Sequence, residues 1–466
     1  MKPNRRQFLK TSSAAVLGFP TIIPRHVLGG PNVVPPSEKV NIGIIGAGGK
    51  GKENTGNLLK LDDVQITAIA DPAEYWNLAD FYYKTEAGMG PVKKMVEAHF
   101  SAKTPNYRVS RYEDFRVMLE KESSLDAVVC STPDHCHAYV SALAMRSGKH
   151  VYCEKPLTHN IWEVRQIRDM ARETGLATQM GNGGHSSDGI RQTVEYVKAG
   201  VIGKVTESHA WVPTSRWTPG LTGYPSERPP VPKGLNWDLW LGPAQERPYH
   251  EALAPVKWRD FWAFGCGALG DFGCHDLDAI TWACALKAPD SVEILPAGHG
   301  DAIIAPYGEI GYYHFPSRGD HPPMKVTWYS GGLKPSHPDQ MPEKMSLPRR
   351  GILIVGEKGI IQCDGAGGAP RVFPDTLRAS MTKPEPTIPR SKGHYRDWVD
   401  AIKGGSPASS NFDVAANLTE ITLLGVLSLR LGGEKIHWDA ANMKAKGLEK
   451  ADDLIREPAR KGWEIG

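Results

Sequence analysis

Gly46-Ala47-Gly48-Gly49-Lys50-Gly51 comes directly after the apolar run Val40-Asn41-Ile42-Gly43-Ile44-Ile45, and this stretch decides the fold. A short apolar run followed by closely spaced glycines and then a helical pattern is the opening of a dinucleotide-binding βαβ unit. Gly46 suits the tight strand-to-helix turn, Gly48 leaves room for a pyrophosphate, and Gly51 lets helix and strand pack closely. Gly49 belongs to the same loop. A second apolar run, residues 64–70, ends at Asp71. An acid at that strand end can accept hydrogen bonds from a ribose 2′-hydroxyl and would repel a 2′-phosphate, so NAD is expected rather than NADP. Asp71 also precedes Pro72 and can be read as a plain turn residue.

Working outward, strand-like and helix-like segments alternate. Residues 112–121 read as helix, 127–130 as strand, 137–146 as helix and 150–153 as strand. That alternation predicts right-handed βαβ units and a parallel sheet. Residues 75–98 read as a long helical insertion with a Gly-Met-Gly break. Beyond Lys204 the apolar runs are more widely spaced, at 205–212, 309–314, 325–329, 351–355 and 359–363, among Pro- and Trp-rich loops. They predict a largely antiparallel or mixed sheet, with helices returning at 394–403 and 414–430. The expected class is α/β: an N-terminal Rossmann domain at 38–157 and a C-terminal α+β domain at 158–440. Residues 1–34 are read as signal and linker, and 441–466 as a tail.

With 466 residues, 40% hydrophobic and 23% charged, the chain is long enough for two or three cores. A net charge of +3 argues against nucleic acid or an anionic membrane surface as partner. Arg5-Arg6-Gln7-Phe8-Leu9-Lys10 precedes a weakly apolar stretch too short and interrupted to span a bilayer, so no stable membrane insertion is expected. The pair resembles a twin-arginine export signal, which implies a periplasmic or otherwise exported protein. The cysteines number seven, and Cys130 and Cys153 fall in strand patterns, so no disulfide framework is read.

Two further stretches carry chemistry. In Val151-Tyr152-Cys153-Glu154-Lys155-Pro156-Leu157, Pro156 ends the strand, and Lys155 emerges at the carboxyl edge where α/β ligands bind. Desolvated there, a lysine can have its pKa lowered and can hydrogen-bond a developing alkoxide. A lysine at such an edge can equally stand in solvent. In Gly265-Cys266-Gly267-Ala268-Leu269-Gly270-Asp271-Phe272-Gly273-Cys274-His275, a helix starting near Gly270 puts Asp271 and His275 one turn apart on one face. Such a pair can hold a diol, with the histidine as base. A helix start with a surface histidine fits the same residues. His185, after Gly181-Asn182-Gly183-Gly184, is a candidate substrate contact on the same sheet edge. His135, Cys136 and His137 invite a metal reading, but adjacent residues on one turn rarely converge on an ion, and no metal is expected. Trp211, Trp217, Trp237, Trp240, Trp258 and Trp262 crowd the loops before Asp271. One or two are expected at the site, where their faces would stack on a sugar ring.

Together with Thr132-Pro133-Asp134-His135-Cys136-His137 and Gly148-Lys149-His150, these motifs resemble the glucose–fructose oxidoreductase and inositol dehydrogenase (Gfo/Idh/MocA) family from Val40 to about Asp439. The resemblance implies an NAD-dependent oxidoreductase acting on a small-molecule sugar or sugar derivative, with Lys155, Asp271 and His275 catalytic. Lys155 would touch both nicotinamide and substrate, and Thr132, Pro133, His137 and Glu154 would line the cofactor site. It also implies association into a homo-oligomer through the second domain. Two alternatives stand beside it: a redox-neutral glycosidase working through a transient 3-keto sugar, and a non-catalytic sugar-binding protein on the same fold.

Overall fold

The computed structural model describes residues 34–466. The described residues divide between two units, 34–39 and 40–466. Within the first, Pro36–Glu38 forms a short 3-10 turn. The proposed export signal lies outside the described residues.

The second unit opens with β1 (Val40–Ile45), α1 (Gly49–Leu58) and β2 (Val64–Ala70). It continues through α2 (Met89–Ser101), β3 (Ser110–Tyr112), α3 (Phe115–Lys121), β4 (Ala127–Cys130), α4 (His137–Arg146) and β5 (His150–Cys153). After α5 (Ile161–Thr174) comes β6 (Thr178–Met180). The six strands form one sheet in the order β3-β2-β1-β4-β5-β6, parallel throughout. β1 reads as a nearly continuous apolar run because helices cover both faces of the sheet.

That sheet does not stop at Leu157. A capping box between Asn160 and Glu163 starts α5, and α5 delivers β6 to the edge of β5. The N-terminal domain is therefore longer than the expected 38–157. The stretch read as a helix from 75 is also different. Trp76–Asn77 and Glu86–Ala87 pair as a small antiparallel hairpin, and helix begins only at Met89. Tertiary contacts override local propensity there. Lys52 Nζ donates to Thr85 Oγ1 at 2.6 Å and to Glu86 O at 2.8 Å, tying the hairpin to α1.

After α6 (Asp188–Lys198) the second sheet begins with β7 (Val205–Trp211). Past α7 (Gly267–Asp276) come β8 (Ser291–Ala297), β9 (Gly308–Phe315), β10 (Met324–Tyr329), β11 (Gly351–Gly356), β12 (Ile360–Asp364) and β13 (Arg371–Phe373). Following α8 (His394–Ile402) and α9 (Phe412–Arg430), β14 (Ile436–Asp439) and β15 (Lys444–Ala445) complete it. The order is β13-β12-β11-β7-β10-β9-β8-β14-β15, antiparallel except for the β7/β10 pair, hence mixed.

α9 has the length and apolar character of a membrane span, but most of it is buried inside the protein, where it serves as a core helix between α5 and α7. Gly273 allows the close approach of α7: a Cβ there would lie 2.7 Å from Thr422 of α9. All seven cysteines are buried and free.

The late segments return to the first domain. Trp398 of α8 is fully buried among β1, β2 and β4 residues and meets the Tyr152 ring edge-on at 5.6 Å. The tail does likewise: Trp463 packs on Tyr139 at 5.0 Å, with Arg116 4.2 Å above its ring. Replacing Trp398 with Ala is expected to lower unfolding free energy by about 3–5 kcal/mol, because the site is enclosed by a rigid sheet and cannot collapse. Denaturant titration of the purified variant measures this.

Candidate active site

Along the carboxyl ends of the parallel strands lies a cavity of about 670 Å³, within the ordinary range for small-molecule sites. One end is built by the glycine loop. Gly46 has φ +86°, and a Cβ there would sit 2.7–2.8 Å from the Ser131–Thr132 backbone. A Cβ on Gly51 would meet Gly46 O at 1.9 Å, so strand and helix touch only because both are glycine. Gly48, by contrast, has nothing within 4 Å of its Cβ position and leaves the N-terminus of α1 open to the cavity. Gly49 is covered by the Tyr83 ring from the 76–87 hairpin.

This end fits a dinucleotide: an accessible helix N-terminus for a pyrophosphate, and a buried acceptor with capacity to spare. The acceptor is Glu154, whose Oε1 takes a hydrogen bond from Asn54 at 2.9 Å while its buried Oε2 has no partner. Asp71 also lines the wall, but its carboxylate already accepts from the backbone N–H groups of Ala47 (2.5 Å) and Ala73 (2.7 Å). Burial pushes it up to about 6 against those two bonds. Any ribose contact would therefore use its remaining lone pairs. Thr132, Pro133 and His137 line the same end. The His137 ring nitrogens lie 2.7 Å from Pro156 O and 3.0 Å from Thr132 O, so its ring braces two turns. Cys130, His137 and Cys153 bring ligand-type atoms within 4.8 Å of one another, a different trio from the one the sequence suggested.

At the other end Lys155 meets α7. Its Nζ donates to Asp271 Oδ1 and, at 2.8 Å, to Asp271 O. Burial would lower the lysine pKa, but Asp271 outweighs it and the pKa is raised. Lys155 is thus a cation fixed in an ion pair, not the pKa-lowered lysine expected from its position. Burial likewise opposes ionisation of Asp271, yet Lys155 and Arg259 hold its carboxyl down at about 2. His275, one turn on, lines the cavity with no side-chain bond to Asp271 among the described residues. Burial, reinforced by the Lys155 and Arg350 cations, keeps its imidazole well below the usual histidine range, in the unprotonated form that a base requires.

His185 is not in the cavity wall. The 3-10 turn Gly183–Ser186 directs it into the second domain, where Nδ1 meets the Asp278 carboxylate at 2.9 and 3.0 Å and the ring stacks on Trp282 at 4.5 Å. Asn182 donates to the same carboxylate at 2.9 Å. Asp278 is buried and those partners satisfy it, so His185 is held inside the protein and away from the cavity wall. Of the six tryptophans, Trp217, Trp240 and Trp258 reach the cavity. Sequence reasoning missed Arg259, the Tyr82–Tyr83 hairpin and Trp463, all in the wall. Only Arg259 carried a signal, as a charged residue between Trp258 and the Asp271 motif.

Two family models match: an oxidoreductase family NAD-binding Rossmann fold over residues 40–182, and the C-terminal alpha/beta domain of that oxidoreductase family over 195–314. The chain belongs to the Gfo/Idh/MocA family. Its N-terminal domain is an NAD-binding Rossmann domain. Among curated relatives, a glycosyl hydrolase family 109 protein of Shewanella pealeana is 28% identical over 47% of this chain and 48% of its own. A levoglucosan dehydrogenase of Pseudarthrobacter phenanthrenivorans is 24% identical over 52% of this chain and 50% of its own. The chain thus spans about half the length of these relatives. The crystal structure of the Bordetella pertussis WlbA dehydrogenase with NADH and UDP-GlcNAcA superposes with TM-score 0.56 at 16% identity, covering 86% of this chain and 99% of that one, a likeness of fold.

The ion pair sets a pH dependence. The Asp271 pKa, about 2 when folded, lies below an unfolded value of about 4. Its contribution to stability is therefore complete above about pH 4 and lost as pH falls through 2. In Asp271→Asn the counter-charge is gone while burial and Arg259 still disfavour the ammonium. The Lys155 titration is then expected to move down by about 1–3 units, read from ¹⁵N-lysine NMR or from the basic limb of a pH–rate profile.

Proposed function

We propose that this protein is an exported oxidoreductase that holds its NAD tightly and moves hydride to or from a ring hydroxyl of a sugar, glycoside or cyclitol. One observation carries the reading: an ammonium fixed on a carboxylate and a neutral imidazole share a cavity with the glycine loop. Lys155 hydrogen-bonds the substrate hydroxyl and stabilises negative charge as it develops there. Asp271 fixes the direction of Nζ. His275 takes the hydroxyl proton, and general-base help of this kind is worth about 10²–10⁴-fold. Bound nicotinamide supplies the hydride acceptor.

Tight retention is supported by the walls. The Tyr82–Tyr83 hairpin lies over the glycine loop, and Trp463 of the tail closes the side nearest Phe115. Export makes retention necessary, since free NAD is scarce outside the cytoplasm and the cofactor must be loaded before transport. A second reading has its own support in the family 109 glycosyl hydrolase likeness. Transient oxidation at sugar C3 acidifies the neighbouring C–H and permits glycoside elimination, with hydride returned at the end. The same lysine and histidine serve both.

Protein purified after export is expected to release NAD on denaturation, identified by mass. Native protein is then incubated with sugars and glycosides. Lasting conversion to NADH identifies the oxidoreductase, and free sugar without lasting reduction identifies the glycosidase. Protein neither containing nor binding nicotinamide overturns both. Lys155→Met should lower turnover by at least about 10²-fold with the fold intact. Unchanged turnover would remove Lys155 from the mechanism.

A further inference from the structure

Arg259 stands in the short turn Lys257–Asp260, on the cavity wall beside Asp271. Its side chain is 14% exposed, and its guanidinium carbon lies 4.3 Å from the centre of the Trp258 ring. Nη1 donates to Val256 O at 3.1 Å. The Asp271 oxygen facing it is 3.8 Å from Nε, beyond hydrogen-bond reach, and that oxygen already accepts from Lys155. Among the described residues no other hydrogen bond satisfies the fork.

Lys155 and Arg259 both face the Asp271 carboxylate, with Glu154 acting on Lys155 and Asp134 on Arg259. Asp134 also borders the cavity, but burial pushes its carboxyl up and it makes no ion pair among the described residues. Of the other arginines on the wall, Arg350 binds the Asp276 carboxylate through Nε and Nη2. Arg216 directs Nη1 and Nη2 to the carbonyls of Ala305 and Leu221. His275 is neutral. Arg259 therefore presents a guanidinium whose Nε and Nη2 have no hydrogen-bond partner among the described residues, beside an Asp271 oxygen already taken by Lys155.

We propose that Arg259 is a specificity-determining residue that takes an anionic substituent, a carboxylate or a sulfate ester, on the sugar whose hydroxyl meets Lys155. This rests on the sugar-oxidoreductase reading above. A planar fork suits a two-oxygen anion, and Arg is the side chain that can offer two parallel N–H bonds to it. Tyr82 and Trp217, with ring centroids 5.6 Å apart, form an aromatic wall on the same cavity. A neutral sugar that covers the fork leaves its donors unfilled, which costs roughly 10- to 100-fold in affinity.

Calorimetric titration of the NAD-loaded protein with glucuronate, glucose 6-sulfate and glucose tests this. At least one anionic sugar is expected to bind about ten times or more tighter than glucose, and Arg259→Gln should bring that ratio close to one. The stronger of the two names the group as carboxylate or ester. Equal binding of all three by the wild type, or a preference that survives Arg259→Gln, overturns the proposal. So does a variant altered in NAD affinity alone. Should Arg259→Gln not fold, Arg259→Lys keeps the charge without the fork and is expected to lower the same ratio; an unchanged ratio overturns the fork's role. Absorbance of bound NADH separates the two readings. Reduction by glucose without anion preference keeps the oxidoreductase and removes the anion. Anion preference lost in the variant, with no sugar turned over, keeps the anion and removes the oxidoreductase.

Discussion

The Asp271 carboxylate is the point on which the site depends. It sits on α7, in the second half of the chain, yet its partner Lys155 leaves the edge of the parallel sheet. One charge–charge contact therefore joins the glycine-loop domain to the helix that carries His275. At an effective dielectric constant near 20, opposite charges about 4 Å apart attract by roughly 4 kcal/mol. Part of that offsets the cost of removing both groups from water. What it provides is direction: the ammonium is aimed and its pKa is raised, and the nearby positive charge helps keep His275 neutral.

The same economy of contacts explains the glycines of α7. A helix carrying an acid and a base must approach both the sheet edge and the core helix α9. Gly273 removes the side chain that would block Thr422. At the other end of the cavity Gly46 and Gly51 remove the atoms that would part β1 from α1. In both places the absence of a Cβ sets how closely backbone elements approach, and so where the reacting groups stand.

Most of this framework is local and legible from sequence. The glycine loop, the Asp71 strand end, the Glu-Lys-Pro strand end and the Asp271/His275 spacing each fall within a single strand–turn–helix unit, where periodicity speaks. What escaped was decided by distant contacts. The 76–87 segment is a hairpin because α1 and Gly49 offer it a surface. His185 turns away because Asp278, nearly a hundred residues on, must be paired inside the protein. The parallel sheet runs on past Leu157 through β6, which at three residues is too short to show in the sequence pattern. Trp463 reaches the cavity from a segment with no motif at all.

Lys155 shows why position alone misleads about protonation. A lysine at a strand end facing a cavity has two competing influences, desolvation and a counter-ion, and the sequence displays only the first. The second sits more than a hundred residues away. Once Asp271 is in place, the lysine is held in its protonated, donating form, and in the proposed reaction proton removal falls to His275. The division of labour between cation and base is thus set by which carboxylate reaches which partner. That choice also leaves the Arg259 Nε 3.8 Å from the Asp271 oxygen that Lys155 has taken, on the same cavity wall.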